Sequence, residues 1–245
     1  MKNLFLFLFL LVVFTSKAQD NRVSGLNSRQ FTKYWKVESE SPDYKVTFQG
    51  DTAEIVSPKG LTLWRKEKMS GKVTIEYDAC VVVESDGDRL SDLNCFWMAS
   101  DPQYPDNLWK REKWRSGIFL NCYSLQLYYL GYGGNHNSTT RFRRYDGDES
   151  GITNPKARPA ILKEYTDAGH LLKPNHWYHI KITNENNRVS YYIDGERLVD
   201  FRDAEPLREG WFGFRTTLSR TRITNFSYEC SSQEAAAVHH RQYLF

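Results

Sequence analysis

The sequence predicts an all-β protein built from two packed sheets, and three observations carry that reading. Apolar and polar residues alternate with period two in many separate runs, the runs are rich in Val, Ile, Tyr, Phe, Trp and Thr, and no long stretch shows the 3.6-residue period of a helix. Each such strand has one apolar side, and many short strands hide those sides by packing one sheet on another. Aromatic residues make up 15% of the chain, a content that serves strand packing and stacking alike.

The elements follow in order. Residues 34–40, 45–48, 52–57 and 61–65 are separate strand-like runs, divided like the others by clusters of Gly, Asp, Asn and Pro. Residues 72–84 and 93–99 are the next strand-like runs. Residues 117–132 and 139–145 flank Gly131-Tyr132-Gly133-Gly134-Asn135, a glycine-rich connection between antiparallel neighbours. Residues 177–185, 188–193 and 196–201 form a meander, because Asn186-Asn187 and Asp194-Gly195 tolerate the positive φ of tight hairpin turns. Residues 210–217 and 222–229 close the fold. Two long polar excursions, Asp101 to Arg115 and Asp146 to Pro174, are the loops where binding residues tend to sit.

The N-terminus assigns the compartment. Lys2, an apolar run from Leu4 to Phe14 and the small-residue site Ser16-Lys17-Ala18 read as a signal peptide over residues 1–18, so the protein is expected to be secreted or periplasmic. That run is too short to span a bilayer, and no membrane span is expected. Residues 19–230 are expected to be a single sandwich domain and 231–245 a tail, in which His239 and His240 read as solvated. Loss of Lys2 and Lys17 lowers the net charge from +3 to +1, which offers no basic surplus for nucleic acid. Cys80, Cys95, Cys122 and Cys230 lie in strand-like runs without metal-ligand spacing; either a disulfide or buried free thiols fits them. No phosphate loop, zinc-protease or serine-hydrolase motif is present, and no cofactor is implied beyond a structural calcium ion.

The closing strands read WYHIKI from Trp177, VSYYIDG to Gly195, GWFGFRTT from Gly210 and RITNFSY to Tyr228. They resemble laminin-G-like and concanavalin A-like jelly-roll sandwiches of secreted bacterial glycan-degrading proteins. DRLSDLNCFWMASDP from Asp88 and YYLGYGGNHNSTTRFRRYDG from Tyr128 resemble a narrower set of exported proteins, a domain of unknown function often labelled putative sugar hydrolase. The resemblance spans roughly residues 30–230 and implies a polysaccharide or oligosaccharide partner.

Glucanases of this fold place carboxylates on one strand in an E-x-D-x-x-E pattern, and no such string occurs here. Glu76 and Asp78 read as a solvated outer face. Asp88, Asp92 and Asp101 bracket the FWMAS strand, and Asp92 is the leading catalytic carboxylate, with turn chemistry the competing reading for Asp88. In TTRFRRY, Arg141, Arg143 and Tyr145 share one strand face, and paired guanidinium forks suit the carboxylates of a uronic-acid polymer. The resemblance implies that lyases of this superfamily neutralise the substrate carboxylate with Arg, Asn or Gln and move the proton with Tyr or His. Carried onto this chain, Asn135, Arg141 and Arg143 would neutralise, and Tyr145, Tyr132 or His170 would transfer the proton. The R-x-E-x-R and Q-I-H strings of alginate-lyase type are missing. Trp97, Trp109 and Trp114 are candidates to stack on sugar rings, although Trp97 alternates within an apolar strand and fits a core equally well. The expectation is therefore a secreted polysaccharide-degrading enzyme, a lyase on a uronate-containing glycan ahead of a hydrolase. A non-catalytic lectin-like module is the alternative.

Overall fold

The computed structural model describes residues 22–231; the segments read from sequence as a signal peptide, 1–18, and as a tail, 231–245, lie outside the described residues save for Ser231. Fourteen strands follow in chain order: β1 (Arg22–Ser24), β2 (Trp35–Ser39), β3 (Lys45–Gln49), β4 (Thr52–Arg65), β5 (Met69–Ser70), β6 (Lys72–Val81), β7 (Leu93–Ser100), β8 (Gln126–Gly133), β9 (Thr139–Asp146), β10 (Lys163–Tyr165), β11 (Tyr178–Glu185), β12 (Arg188–Ile193), β13 (Glu196–Arg202) and β14 (Glu209–Ser231). All pairings are antiparallel.

Two strands that the sequence splits are continuous. β4 runs through Ser57–Gly60 and β14 through Leu218, and β4 pairs along nearly its whole length with residues 213–223 of β14. At the break the register shifts between Thr217 and Ser219, and Leu218 takes a left-handed φ of 50°. An extra residue in one partner bends both strands together, so what reads as a break between runs is a bulge that carries the pair from one layer to the other. The first layer runs β10, β9, β8, β7, the first half of β14, the second half of β4 and β2; the second runs β13, β12, β11, β6, the second half of β14 and β3 beyond β4.

The core between the layers joins Trp97, Tyr128, Leu130 and Phe142 to Ile75, Tyr77, Ile180 and Tyr191. The Trp97 ring touches Tyr128 and Phe142 in its own layer and Tyr191 across the gap, at centroid distances of 5.7, 6.0 and 6.1 Å. Burying each of these side chains contributes about 1.5–3 kcal/mol, which makes this contact set the main support of the fold.

The outer face of the first layer is partly roofed. Residues 101–125 do not continue into β8 as an extended strand; Gly117 turns at a φ of 70° and Leu120–Ser124 form a 3-10 turn. This segment packs Leu108, Cys122, Tyr123 and Leu125 onto Trp64, Phe96, Leu127, Tyr129 and Tyr145. Buried charge pins it: Arg111 grips Asp101 at 2.7 and 2.8 Å, and Arg115 donates to Glu38 at 3.0 Å and to the Leu108 carbonyl at 2.7 Å. The four cysteines are free. Burial pushes the Cys95 and Cys122 thiols up to about 12, so both stay protonated and act as apolar side chains.

Candidate functional site

Where the roof ends, the outer face opens into a groove of about 470 Å³, within the usual size of a small-ligand site. Strand register builds its floor. One transverse row reads Glu38, Thr62, Arg215, Asn94, Gly131, Arg141 and Glu164, each on the next strand from β2 to β10. The next row places Phe96, Tyr129 and Arg143 beside one another. Side chains of one row point the same way, so the alternation within each strand presents all these groups to one face.

Gly131 matters because of what lies over it. A Cβ there would stand 2.3 Å from the Tyr129 hydroxyl, so only glycine lets that ring lie along the strand. The Tyr129 ring is held by Phe96, Phe119 and Tyr145 at 5.5, 5.6 and 5.8 Å. Burial raises its hydroxyl above the ordinary tyrosine value, with the Asp92 carboxylate adding to the effect.

Five arginines line the groove, Arg89, Arg141, Arg143, Arg158 and Arg215, against two carboxylates, Glu40 and Asp92. Arg141 is paired with Glu164. Arg89 is paired with Asp92 and also reaches the Thr217 carbonyl at 2.8 Å. Arg215, buried at 3% exposure, donates to the Gly117 carbonyl and stands 4.0 Å from Glu40. Arg143 bonds the Pro159 carbonyl and Arg158 the Gly151 carbonyl at 3.3 Å; neither has a carboxylate partner among the described residues. The lip is the turn after β8, where Gly133, Asn135, His136 and Asn137 all have φ between 51° and 66°. Such a run is costly for side-chain-bearing residues and persists because it is clamped: the Asn137 amide donates to the Leu172 carbonyl at 2.9 Å and accepts from the Leu172 N–H at 2.8 Å. The turn sets exposed Asn135 and His136 over the arginines.

Of the residues singled out from sequence, Asp92, Asn135, Arg141 and Arg143 meet in this groove. The others do not. Tyr145 shares the face of Arg141 and Arg143, as alternation requires, but the roof seals it at 0% exposure under Tyr123 and Tyr129. Tyr132 follows Gly131 and so faces the opposite side of β8; its hydroxyl donates to the Leu171 carbonyl at 3.3 Å and its ring meets Tyr178. His170 lies beside Tyr132 in a separate small pocket, stacked on Tyr165 at 4.0 Å and held by Asp167 at 2.8 Å and Glu196 at 3.2 Å. Trp97 is core. Trp109 packs edge-on against Trp211 at 6.0 Å, and exposed Trp114 stacks under Arg111 on the roof; neither borders the groove. Asp101 is buried in the roof network, and Asp88 caps a turn by accepting from the Glu84 and Ser85 N–H groups. Glu76 and Asp78 face solvent and pair with Lys181 and His179. Among the described residues no three or more His, Cys, Asp or Glu side chains are grouped so as to hold a metal ion.

Sequence reasoning missed Asn94, Tyr129, Arg158 and Arg215. Asn94 and Tyr129 are polar members of otherwise apolar strands, a signal that was available. Arg158 reaches the groove from a loop and carries no local signal.

A family pattern described as a domain of unknown function, DUF6250, matches residues 55–226. The chain belongs to the DUF6250 family. No curated protein matches it. Among solved structures, a Bacillus subtilis protein of unknown function with a galectin-like fold superimposes with a TM-score of 0.67 at 16% identity, covering 86% of this chain and 96% of its own. The carbohydrate-binding module CBM66 from Bacillus subtilis gives 0.53 at 16% identity, covering 80% and 94%. The lumenal domain of VIP36, in a form bound to Ca2+ and Man3GlcNAc, gives 0.57 at 9% identity, covering 89% and 91%. At these identities the likeness establishes that this DUF6250 chain has the concanavalin-like, galectin-like sandwich. No helix among the described residues is long and apolar enough to cross a membrane.

Proposed function

We propose that this DUF6250 protein is exported and binds an acidic saccharide of the uronate type in the groove on the outer face of the first layer. The observation that carries the reading is that Arg143 and Arg158 line the groove without a carboxylate partner among the described residues, Arg143 bonded to the Pro159 carbonyl and Arg158 to the Gly151 carbonyl and over the Tyr123 ring. Arg143 is half-buried, so its guanidinium is poorly compensated without an anion, and exposed Arg158 stands ready beside it; a carboxylate matches such a fork in two-point geometry. Tyr129 and Phe119 add ring surface, Asn94 and Asn135 add polar groups that fix orientation, and these residue types together are what a saccharide acid needs. The fold's presence in a carbohydrate-binding module and in an oligosaccharide-bound lumenal domain supports the substrate class.

Elimination by a lyase, which the sequence puts first, is the second reading. What favours it is His136 at the lip and the Tyr129 hydroxyl at the floor, both beside the arginines that would hold the charge developing on a uronate carboxylate. Asp92 is poorly placed as its catalyst. One oxygen accepts from Asn94 and the other from Arg89 and Ser91, so the carboxylate organises the floor. Hydrolysis needs two working carboxyl groups, and with Asp92 committed only Glu40 is left among the lining residues.

Titration calorimetry of the purified mature chain with pectic, glucuronan, alginate and neutral oligosaccharides tests this, with absorbance of unsaturated products read in parallel. Binding confined to the acidic panel supports the proposal, and new absorbance adds the lyase. Binding of neutral glycans alone overturns it.

A further inference from the structure

We propose that Asn94 selects a ligand hydroxyl, so the groove takes a hydroxylated anion and discriminates against anions lacking a donor at that point. The inference rests on the acidic-saccharide reading and deepens it. Asn94 is 7% exposed, and its Oδ1 is a buried acceptor with no hydrogen-bond partner among the described residues. Such an acceptor has lost water without gaining a protein donor, and because Asn94 lines the groove a donor that enters there would remove the deficit.

The direction of that acceptor is fixed. The Asn94 amide nitrogen donates to Asp92 Oδ1 at 3.2 Å, and a flipped amide would set oxygen against oxygen. Asp92 is itself immobilised: its Oδ2 takes the Ser91 hydroxyl at 3.0 Å and the Arg89 guanidinium, and its backbone sits at a φ of 66°. The carbonyl oxygen is therefore turned away from Asp92. Its neighbours in the transverse row do not supply the missing donor. Gly131 on one side has no side chain, its place being taken by the Tyr129 ring edge, and Arg215 on the other spends its guanidinium on the Gly117 carbonyl and on Thr62 at 3.4 Å.

The floor thus offers one acceptor surrounded by cations. A bare oxyanion satisfies the arginines and leaves Asn94 Oδ1 facing another acceptor. A sugar acid answers both, with the carboxylate at Arg143 and Arg158 and a ring hydroxyl donated to Asn94. Two strand spacings, about 10 Å, separate β7 from β9, Arg143 lies two residues along β9 from the Asn94 row, and the long arginine side chain can close part of that span.

The test is a double-mutant cycle between protein and ligand, using an oligogalacturonate, its monodeoxy derivatives and its methyl ester, with wild type and Asn94→Leu. Wild type should lose about tenfold in affinity for the one deoxy derivative that lacks the recognised hydroxyl, the size of a single hydrogen bond. Asn94→Leu should bind that derivative and the parent equally, and the methyl ester should bind neither protein. Asn94→Ala serves if the leucine variant fails to fold. Wild type that needs the carboxylate but treats every deoxy derivative alike overturns the inference and leaves the acidic-saccharide reading standing. Loss of any dependence on the carboxylate overturns both.

Discussion

Arg143→Ala separates a carboxylate clamp from general electrostatic attraction. The guanidinium has no carboxylate partner and gives one bond to the Pro159 carbonyl, which the open groove leaves accessible to water once the side chain is removed. Its loss should therefore change folding stability by no more than about 0.5 kcal/mol, the range of surface substitutions away from special features. Binding should change far more. A charge-assisted hydrogen bond to a carboxylate is worth about 2 kcal/mol, and at 1.4 kcal/mol per decade that is roughly a thirtyfold loss of affinity for an acidic oligosaccharide. Arg141→Ala is the control, since it removes the same unit charge from the same strand face but from a guanidinium already paired with Glu164. Calorimetric Kd values for both variants, with thermal midpoints measured alongside, decide the matter. An Arg143 variant no weaker than the Arg141 variant would show that net charge alone attracts the ligand, and a large drop in its midpoint would show that the residue supports the fold.

Two further outcomes follow from the geometry. Gly131→Ala drives a Cβ to within 2.3 Å of the Tyr129 hydroxyl, and the ring is boxed in by Phe96, Phe119 and Tyr145, so overpacking should cost about 1–3 kcal/mol and blunt binding together, read by calorimetric unfolding and the same titration. An unchanged midpoint would mean that the ring moves freely. For His170, burial pulls the imidazole pKa down but the bonds from Asp167 and Glu196 outweigh it and leave the value raised above 6.5. The contribution to stability is then full below pH 6.5 and is lost as pH rises through the elevated folded value, so His170→Gln should flatten the fall in thermal midpoint of wild type between pH 6 and 8. Identical pH slopes in the two proteins would refute it.

The sandwich is legible in the sequence because strand alternation is a local property: the runs from 72 to 84, 93 to 99 and 177 to 201 each announce a buried face without reference to any partner. The same logic carries Arg141 and Arg143 onto one face. It fails at Tyr145, which obeys the alternation and is then sealed by a roof contributed from 20 or more residues away, pinned by the Arg111–Asp101 and Arg115–Glu38 pairs. It fails at Tyr132 for a different reason. Its proximity in sequence to Asn135 suggests a shared site, but one step along a strand reverses the face, and only the left-handed turn from Gly133 to Asn137 brings Asn135 back over the groove. The bulge at Leu218 is hidden in the same way, because a break in alternation looks alike whether the chain turns or bends.

The floor of the groove could not have been assembled from motifs at all. Arg215, Asn94, Gly131 and Arg141 come from four strands spread over more than a hundred residues, and they share a site only because the register of β14 on β7, β7 on β8 and β8 on β9 puts them in one row. A row of that kind is expensive to leave empty. Five arginines line the groove; Arg89 takes Asp92, which also holds Asn94, Arg141 takes Glu164, and Arg143 and Arg158 spend their hydrogen bonds on backbone carbonyls. A structural network would have closed on itself, as Arg115, Glu38, Arg111 and Asp101 do in the roof a few residues away. The contrast between these two arginine clusters on the same face, one paired with carboxylates under the roof, the other leaving Arg143 and Arg158 without a carboxylate partner in an open groove, is the physical reason to place an anionic occupant in the second.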